Sequence, residues 1–523
     1  MRPENPRILN PKQYRYLLGA LFLTGASTLI LEIVGTRVIS PYYGSSLYCW
    51  SALITVTLVS LAAGYNLGGR QADASASLSL FSRFVSSGGA AVALIPLLRV
   101  FVLKWTTPMG VQLGALASAT TLMAPALILL SALGPLAVRL TVSELGNVGK
   151  SAGDVYSVST LGSVLGAILA GFILIPHVSI TKILCALSIM LLLLGALGHY
   201  LSTIRVPWRL PAAAAAAIAL LGFWPHPQAQ TNLIVDQESA YGQIKVLDFG
   251  TKRYLMVNGT SQSIAALNAP AAPTARLESD SPYIHSLEAL ALMKPGAKRA
   301  LGIGLGAGLL PGALEGVYGI ATDVVDVDPA MIAVARSHFN FSPKGEVFAE
   351  DGRVFLERAD RRYDIIVLDA FGAENPPNHL FTKEAFSAIR GALKPDGILA
   401  VNLVSLLKAP HDKAWLATYQ TLRAVFPNLR AFIASKPYRN LANILFFCSE
   451  EPLMLERLQG AGRPLIREDL AWMLTQELKP EEADLAAAPV MTDDYAPMES
   501  MLAQSAVVWR KALQENVGSI LLY

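Results

Sequence analysis

Charge is what this sequence has little of: 15% of its residues are Asp, Glu, Lys or Arg, where a soluble protein carries about 25%. The shortfall sits in one half. Residues 1–230 are rich in Leu, Ala, Gly and Val, whereas residues 231–523 have the composition of an ordinary soluble domain. Cysteine is also sparse. Cys49, Cys185 and Cys448 lie far apart, in no metal-ligand or redox spacing, so they read as small core residues and no metal is expected. A formal net charge of +3, with no Lys/Arg stripe interleaved with aromatics, gives no case for a nucleic-acid partner. A length of 523 residues suffices for two or three domains at roughly 100–200 residues each.

What the first half does have is long apolar runs. A helix needs about 20 apolar residues to cross roughly 30 Å of hydrocarbon. Six segments meet that test, at about 17–38, 47–69, 80–103, 112–138, 153–175 and 181–201. No signal-peptide cleavage pattern follows the first, so it reads as a retained span. A seventh segment, Pro211 to Trp224, is apolar over only about 14 residues, and extending it back to Ile204 brings in Arg205 and Arg209. Arg2, Arg7, Lys12 and Arg15 precede the first span, and Arg70, Arg83, Arg139, Lys150, Arg205 and Arg209 fall in every second loop. The opposite loops hold little beyond Lys104 and Lys182. By the positive-inside rule the N-terminus is cytoplasmic. Six crossings then leave the soluble half in the cytoplasm, and a full seventh places it outside.

Charges inside apolar spans are costly and usually face the bundle interior or a polar cavity. Glu32 and Arg37 lie five apart in the first span, and Asp154 begins the fifth. They read either as an internal pair fixing helix packing or as part of a substrate or ion path. Gly162, Gly166 and Ala170 recur every four residues, the spacing of close helix–helix contact.

The second half opens with short strands, Gln243–Leu247 and Arg253–Val257, the latter leading into Asn258-Gly259, a hairpin-type turn signal. An Ala- and Pro-rich loop (Asn268 to Thr274) follows, then a stretch with helical spacing from Tyr283 to Met293. Arg299–Ile303 is a buried strand running into Gly304-Leu-Gly-Ala-Gly308, where glycines let the backbone approach a ligand at a helix N-terminus. The next strand, Asp323–Val327, ends in Asp326 and Asp328, some 20 residues on, where a carboxylate can accept ribose hydroxyls. Val347–Gly352 sets Asp351 at a third strand end, Tyr363–Asp369 is a central strand, apolar from Ile365 to Leu368 and ending in Asp369, and Lys394–Asn402 is a turn feeding a fifth strand. Strands alternating with helices make a doubly wound α/β sheet. Gly304, Gly306, Asp326, Asp351 and Asp369 then share one rim, the ligand-binding rim of this architecture. No Walker-type lysine follows the glycines, so a triphosphate is not expected. An S-adenosyl compound suits the spacing at least as well as a dinucleotide.

Over about residues 232–450 these features resemble the spermidine synthase (polyamine aminopropyltransferase) family. The matching segments are Glu238–Ile244, Asn258–Gln262, Gly304–Gly308, Val325–Asp328, Glu350–Gly352, Tyr363–Asp369 and Leu380–Thr382, and a small β unit ahead of a Rossmann-like domain is itself a family feature. The whole chain, with Thr492–Glu499, looks like the membrane-fused branch often labelled a fused transporter–spermidine synthase. The resemblance implies an α-helical transmembrane bundle of six to eight helices (1–230), a small β unit (231–282), a Rossmann-like, AdoMet-type catalytic domain (283–460) and a mainly helical C-terminal extension (461–523). It implies that Gln262 contacts the nucleoside, Asp326 the ribose and Asp351 the adenine amino group, with Gly304 and Gly306 lining the cofactor. Asp369 would be the base that meets the attacking amine. The implied reaction moves an aminopropyl group from decarboxylated S-adenosylmethionine to putrescine or a related amine and releases methylthioadenosine.

Two family carboxylates are missing: the aspartate of the glycine loop is Ala307, and the second aspartate of the catalytic segment is Gly372. The surroundings of Tyr283 and His285 match the family's Tyr-His-Glu only roughly. Glu374, Asp493, Asp494 and Glu499 are candidates to replace the lost charge, and Tyr241 and Gln243 are further candidate substrate contacts. Expected partners are the lipid bilayer and a small polyamine, with a homodimer left open. Because adenosine cofactors are cytoplasmic, the expected location is a bacterial inner (plasma) membrane with the catalytic domain inside. Two other classes stay open: an S-adenosylmethionine-dependent methyltransferase, and a non-catalytic polyamine transporter or sensor.

Overall fold

The structure, a computed structural model, describes residues 9–43, 47–142, 148–202, 214, 217–218, 232–267, 277–359, 362–458 and 464–517. The chain forms two compact units, Met1–Ala229 and Gln230–Tyr523.

The first unit has six helices long and apolar enough to cross a membrane: Pro11–Ser40, Tyr48–Ser75, Leu78–Met109, Gln112–Thr141, Val148–His177 and Ile180–Leu201. They correspond one for one to the six apolar runs of the sequence. Small residues set their spacing. A Cβ on Gly162 would lie 2.0 Å from the Phe22 carbonyl oxygen, and one on Gly166 2.5 Å from that of Ala26, so the first and fifth spans touch backbone to backbone as small-residue rows permit. Ala170, next in that row, is fully buried. Glu32 and Arg37 are half-buried, whereas Asp154 is exposed at the start of the fifth span. The seventh apolar segment, Pro211 to Trp224, falls outside the described residues but for 214, 217 and 218, as do Arg2, Arg7, Arg205, Arg209 and the Asn268–Thr274 loop.

The second unit carries two sheets. The smaller is antiparallel, with strands in sequence order: β1 (Leu233–Glu238), β2 (Gln243–Phe249), β3 (Lys252–Val257), β4 (Thr260–Ala266) and β5 (Glu278–Ser279). The larger contains β6 (Arg299–Ile303), β7 (Ala321–Asp326), β8 (Val347–Ala349), β9 (Tyr363–Leu368), β10 (Leu393–Leu406), β11 (Asn428–Ile433), β12 (Leu441–Ser449) and β13 (Glu477–Leu478). Its order is β13-β11-β12-β10-β9-β6-β7-β8. From β10 to β8 neighbouring strands are parallel, and β12, β11 and β13 extend one edge antiparallel.

Side-chain chemistry explains the centre. β9 is buried at every position because helices cover both faces of a parallel strand. Leu301, Ile366, Leu368, Leu399 and Val401 pack on one side of the sheet, and Ala300, Ile365, Val367 and Ala400 on the other. The chain winds from β6 outward through β7 to β8, then returns to place β9 and β10 on the opposite side of β6. That reversal opens a crevice between the C-terminal ends of β6 and β9, where ligands bind in open α/β sheets.

Candidate active site

At the reversal point the chain leaves β6 through Gly304, Gly306 and Gly308, at φ +93°, +54° and +71°. Left-handed backbone of this kind favours glycine. At Gly304 glycine is also demanded by space, since an added Cβ would sit 2.3 Å from the Asp369 carbonyl oxygen. Three strand ends are stitched together there: Asp369 N–H, after β9, donates to the Ile303 carbonyl of β6 at 3.0 Å, and Gly304 N–H, after β6, to the Val325 carbonyl of β7 at 2.9 Å. The small sheet closes over the loop, with Ser263 Oγ of β4 accepting from Ala307 N–H at 3.1 Å. Ala307 turns away, into an apolar cluster with Ile244, Val246 and Leu255.

These elements enclose a cavity of about 610 Å³ lined by Tyr241, Gln262, Gly304, Gly306, Asp326, Asp351 and Asp369 among others, within the roughly 300–1,000 Å³ common for small-ligand sites. The five rim positions read from the sequence therefore meet in one hollow, and Gln262 and Tyr241 join them. Gln243 does not. Its side-chain amide donates to Asp236 at 2.7 Å on the exposed side of the small sheet.

Asp326 accepts from Leu305 N–H and from Asp328 N–H, each at 2.9 Å. Burial outweighs these bonds and pushes its carboxyl up to about 6. Asp351 caps the helix Gly352–Arg358 by accepting from Arg353 and Val354 N–H, and its other oxygen lies 2.9 Å from His379 Nε2. Burial alone would raise this carboxyl, but His379 and the backbone donors outweigh it and hold it below the usual carboxylate range. Gln262 donates to the carbonyl of Ala373 at 2.9 Å, and Ala373 itself adopts φ +73° in the segment after Asp369.

Asp369 sits at the centre of a polar relay that crosses three strands. Asn402 Nδ2 of β10 donates to its Oδ1 at 2.7 Å, and Tyr283 OH to its Oδ2 at 3.4 Å. Asn443 of β12 in turn donates to Asn402 Oδ1 at 3.1 Å, and Ser435 Oγ to Asn443 Oδ1 at 3.2 Å. Burial raises the Asp369 carboxyl although Asn402 and Tyr283 pull it down. Burial, then the Asp369 charge, push the Tyr283 hydroxyl well above its usual value. A carboxylate with a raised pKa, open to a cavity and fixed by side-chain amides, is equipped to take a proton.

The other candidate acids lie outside the cavity. Glu374 is buried against Arg510 of the C-terminal helix Met498–Val517 in an ion pair. Asp493 accepts from Thr382 Oγ1 at 2.6 Å and pairs with Arg353 at 3.1 Å, clamping the C-terminal segment beside the helix Gly352–Arg358. Asp494 is exposed, and neither it nor Asp493, Glu374 or Glu499 lines the cavity. Gly372 leaves its position without a carboxylate. His285 lies 2.6 Å from Asp469 and 3.0 Å from the Ser279 carbonyl, behind the cavity wall. Sequence reading assigned no role to Asn402, Asn443, His379 or Trp509, which also line the cavity. Trp509 reaches it from the C-terminal helix by packing edge-on against Phe371 at 6.0 Å. No group of His, Cys, Asp and Glu suited to a metal occurs among the described residues.

Comparison with known proteins fits this geometry. Residues 297–455 match the model of the spermine/spermidine synthase domain. A polyamine aminopropyltransferase of Vibrio vulnificus is 31% identical over 218 residues, covering 39% of this chain and 70% of that protein. A probable polyamine aminopropyl transferase of Bifidobacterium longum is 25% identical over 325 residues, 57% of this chain and 70% of its own length. An N-terminal histidine N-methyltransferase of Emericella nidulans is 32% identical over 159 residues, which cover 29% of this chain and only 28% of that protein.

Proposed function

The chain belongs to the polyamine aminopropyltransferase family, and from that premise we propose that it transfers an aminopropyl group from decarboxylated S-adenosylmethionine to a small amine. The observation that carries this reading is Asp369, buried and held by Asn402 and Tyr283 in the hollow that also contains Asp326, Asp351 and the Gly304–Gly308 turn. Asp326 suits the ribose hydroxyls, Asp351 the adenine amino group, and Gln262 the nucleoside. The glycine turn leaves the backbone bare for close approach.

The attacking nitrogen must be a free amine, yet an aliphatic ammonium has a pKa near about 10.4. Asp369 binds that ammonium, orients it in line with the carbon beside sulfur, and accepts the proton as attack proceeds. The nitrogen lone pair forms the new N–C bond. The C–S bond breaks with its electrons going to sulfur, so the sulfonium leaves as neutral methylthioadenosine. Because burial raises the Asp369 carboxyl, it is a better proton acceptor than a surface aspartate. Detergent-purified protein given putrescine and decarboxylated S-adenosylmethionine should release methylthioadenosine. No release with any di- or triamine would overturn the reading. A calorimetric preference for intact S-adenosylmethionine would favour methyl transfer instead, the reading that the uncharged Ala307 supports.

The first unit anchors this enzyme in a bacterial inner membrane with the second unit on the cytoplasmic side. Six apolar helices and the Lys/Arg bias of alternate loops support that arrangement. Retention in the membrane fraction after alkaline washing, with the second unit digestible only from the cytoplasmic face, is the expected result.

A further inference from the structure

The helix Met498–Val517 lies beyond residues 297–455, the stretch that matches the spermine/spermidine synthase domain, yet its Trp509 lines the cavity. The helix is fastened on both sides of that residue. Leu406 N–H, at the end of β10, donates to Ser505 Oγ at 3.1 Å. Arg510 pairs with Glu374 and donates to the Asn258 carbonyl, between β3 and β4, at 3.4 Å. Glu515, one turn further on, takes the Tyr438 hydroxyl and Arg439. Ser505 and Arg510 are buried, so the half-buried indole between them is held in place against Phe371.

Strand register locates this wall relative to the proton acceptor. Asn402 of β10 donates to Asp369, and Asn443 of β12 donates to Asn402. Val404 follows Asn402 by two residues and so shares its face of the strand, as Leu441 does with Asn443. The antiparallel register sets Val404 opposite Asn443 and Leu406 opposite Leu441. Val404, Leu441, Phe371 and Trp509 form one apolar cluster, and all four line the cavity. The polar relay thus gives way to hydrocarbon about 7 Å further along, the rise of two strand residues. Gly372 adds no side chain there, and Glu374 lies outside the cavity.

We propose that Trp509 is a specificity-determining residue for the acceptor: its indole packs on the methylene chain that trails from the attacking nitrogen and limits how long that chain can be. This rests on the aminopropyl-transfer reading, in which the nitrogen itself meets Asp369. The acceptor remains a di- or polyamine, and the C-terminal helix selects among such amines by the length of their hydrocarbon. Each methylene taken from water is worth about fourfold in affinity, so a wall of this kind discriminates without a second carboxylate.

The test measures methylthioadenosine release with putrescine, cadaverine and spermidine for the wild type, Trp509→Ala and Trp509→Phe. Trp509→Ala should raise KM for putrescine about tenfold with kcat little changed, the mark of lost binding that is equal in ground and transition states. It should also improve cadaverine relative to putrescine by about fourfold, because the vacated space takes the extra methylene. Trp509→Phe should restore KM to within about threefold of the wild type. Should Trp509→Ala not fold, Trp509→Leu carries the same prediction in weaker form. An unchanged KM with an unchanged order of amines overturns the proposal. So does a matching loss of methylthioadenosine affinity by calorimetry, which would make Trp509 a prop for the fold. The same amines are titrated into enzyme saturated with methylthioadenosine. Absence of turnover with every amine defeats the transfer reading alone. Amine binding that is absent from the wild type, or indifferent to Trp509→Ala, defeats this one.

Discussion

Asn402 donates a 2.7 Å hydrogen bond to Asp369 from the adjacent strand, and Asn443 fixes the orientation of that amide by donating to its oxygen. The pair sets how basic the buried carboxylate can become. Burial raises the Asp369 carboxyl and Asn402 opposes it, so Asn402→Ala should raise it further. Since catalysis needs the ionised form, the acid limb of the pH–rate profile should move up by about 1 to 2 pH units, the equivalent of one hydrogen bond to a charged group. A profile that keeps its limb and loses only amplitude would mean Asn402 is merely packing.

Asp326 gives a second pH signature. Its carboxyl is pushed up to about 6 by burial, while ribose hydroxyls donate to the ionised form and favour it. Affinity for methylthioadenosine should therefore climb between about pH 5 and 7 and level off above, and Asp326→Asn should bind weakly with no such slope. In the ligand-free protein the sign is opposite. A raised folded-state value contributes stability that is fully present below the ordinary aspartate value of 3.8 and lost as pH rises through about 6. Melting curves across that window, with and without ligand, read both effects.

Glycine matters at Gly304 for reasons that a matched control separates. Gly304→Ala must displace the Asp369 carbonyl, 2.3 Å from the new Cβ, whereas Gly319 has a similar left-handed backbone, φ +71°, with nothing within 4 Å. Gly319→Ala should cost only about 1–2 kcal/mol of stability. Gly304→Ala should abolish adenosyl binding, measured by calorimetry, even in protein that remains folded.

The buried pair Glu374–Arg510 should behave as a unit. Removing one partner, as in Glu374→Gln or Arg510→Met, leaves an uncompensated buried charge or polar group and should cost about 3–5 kcal/mol. Replacing both, Glu374→Leu with Arg510→Met, should recover most of that loss. A double variant no more stable than the singles would show that the pair does not act through charge.

The sequence revealed the parts of the site that obey a local rule. Each of Gly304, Asp326, Asp351 and Asp369 lies where a short apolar run ends and a helix or turn begins, so the βα repeat itself placed them on one rim. Asn402 also ends such a run in the sequence, but nothing local marked it as the partner of a residue 33 positions earlier. The same holds for Trp509 and Arg510, which reach the Phe371–Glu374 segment from the C-terminal helix. Acids were the hardest to place. Glu374 and Asp493 are close in sequence to matching motifs, but which cation a carboxylate faces is decided by long-range packing, here by Arg510 and Arg353.

Trp509 and Arg510 have a bearing on timing. A chain emerging from the ribosome has already made every strand of the large sheet by Leu478, yet the wall that Trp509 supplies and the clasp on Glu374 are absent until synthesis has passed the helix Met498–Val517. A nascent chain that stops short of that helix would thus hold the nucleoside hollow but lack the wall that Trp509 completes.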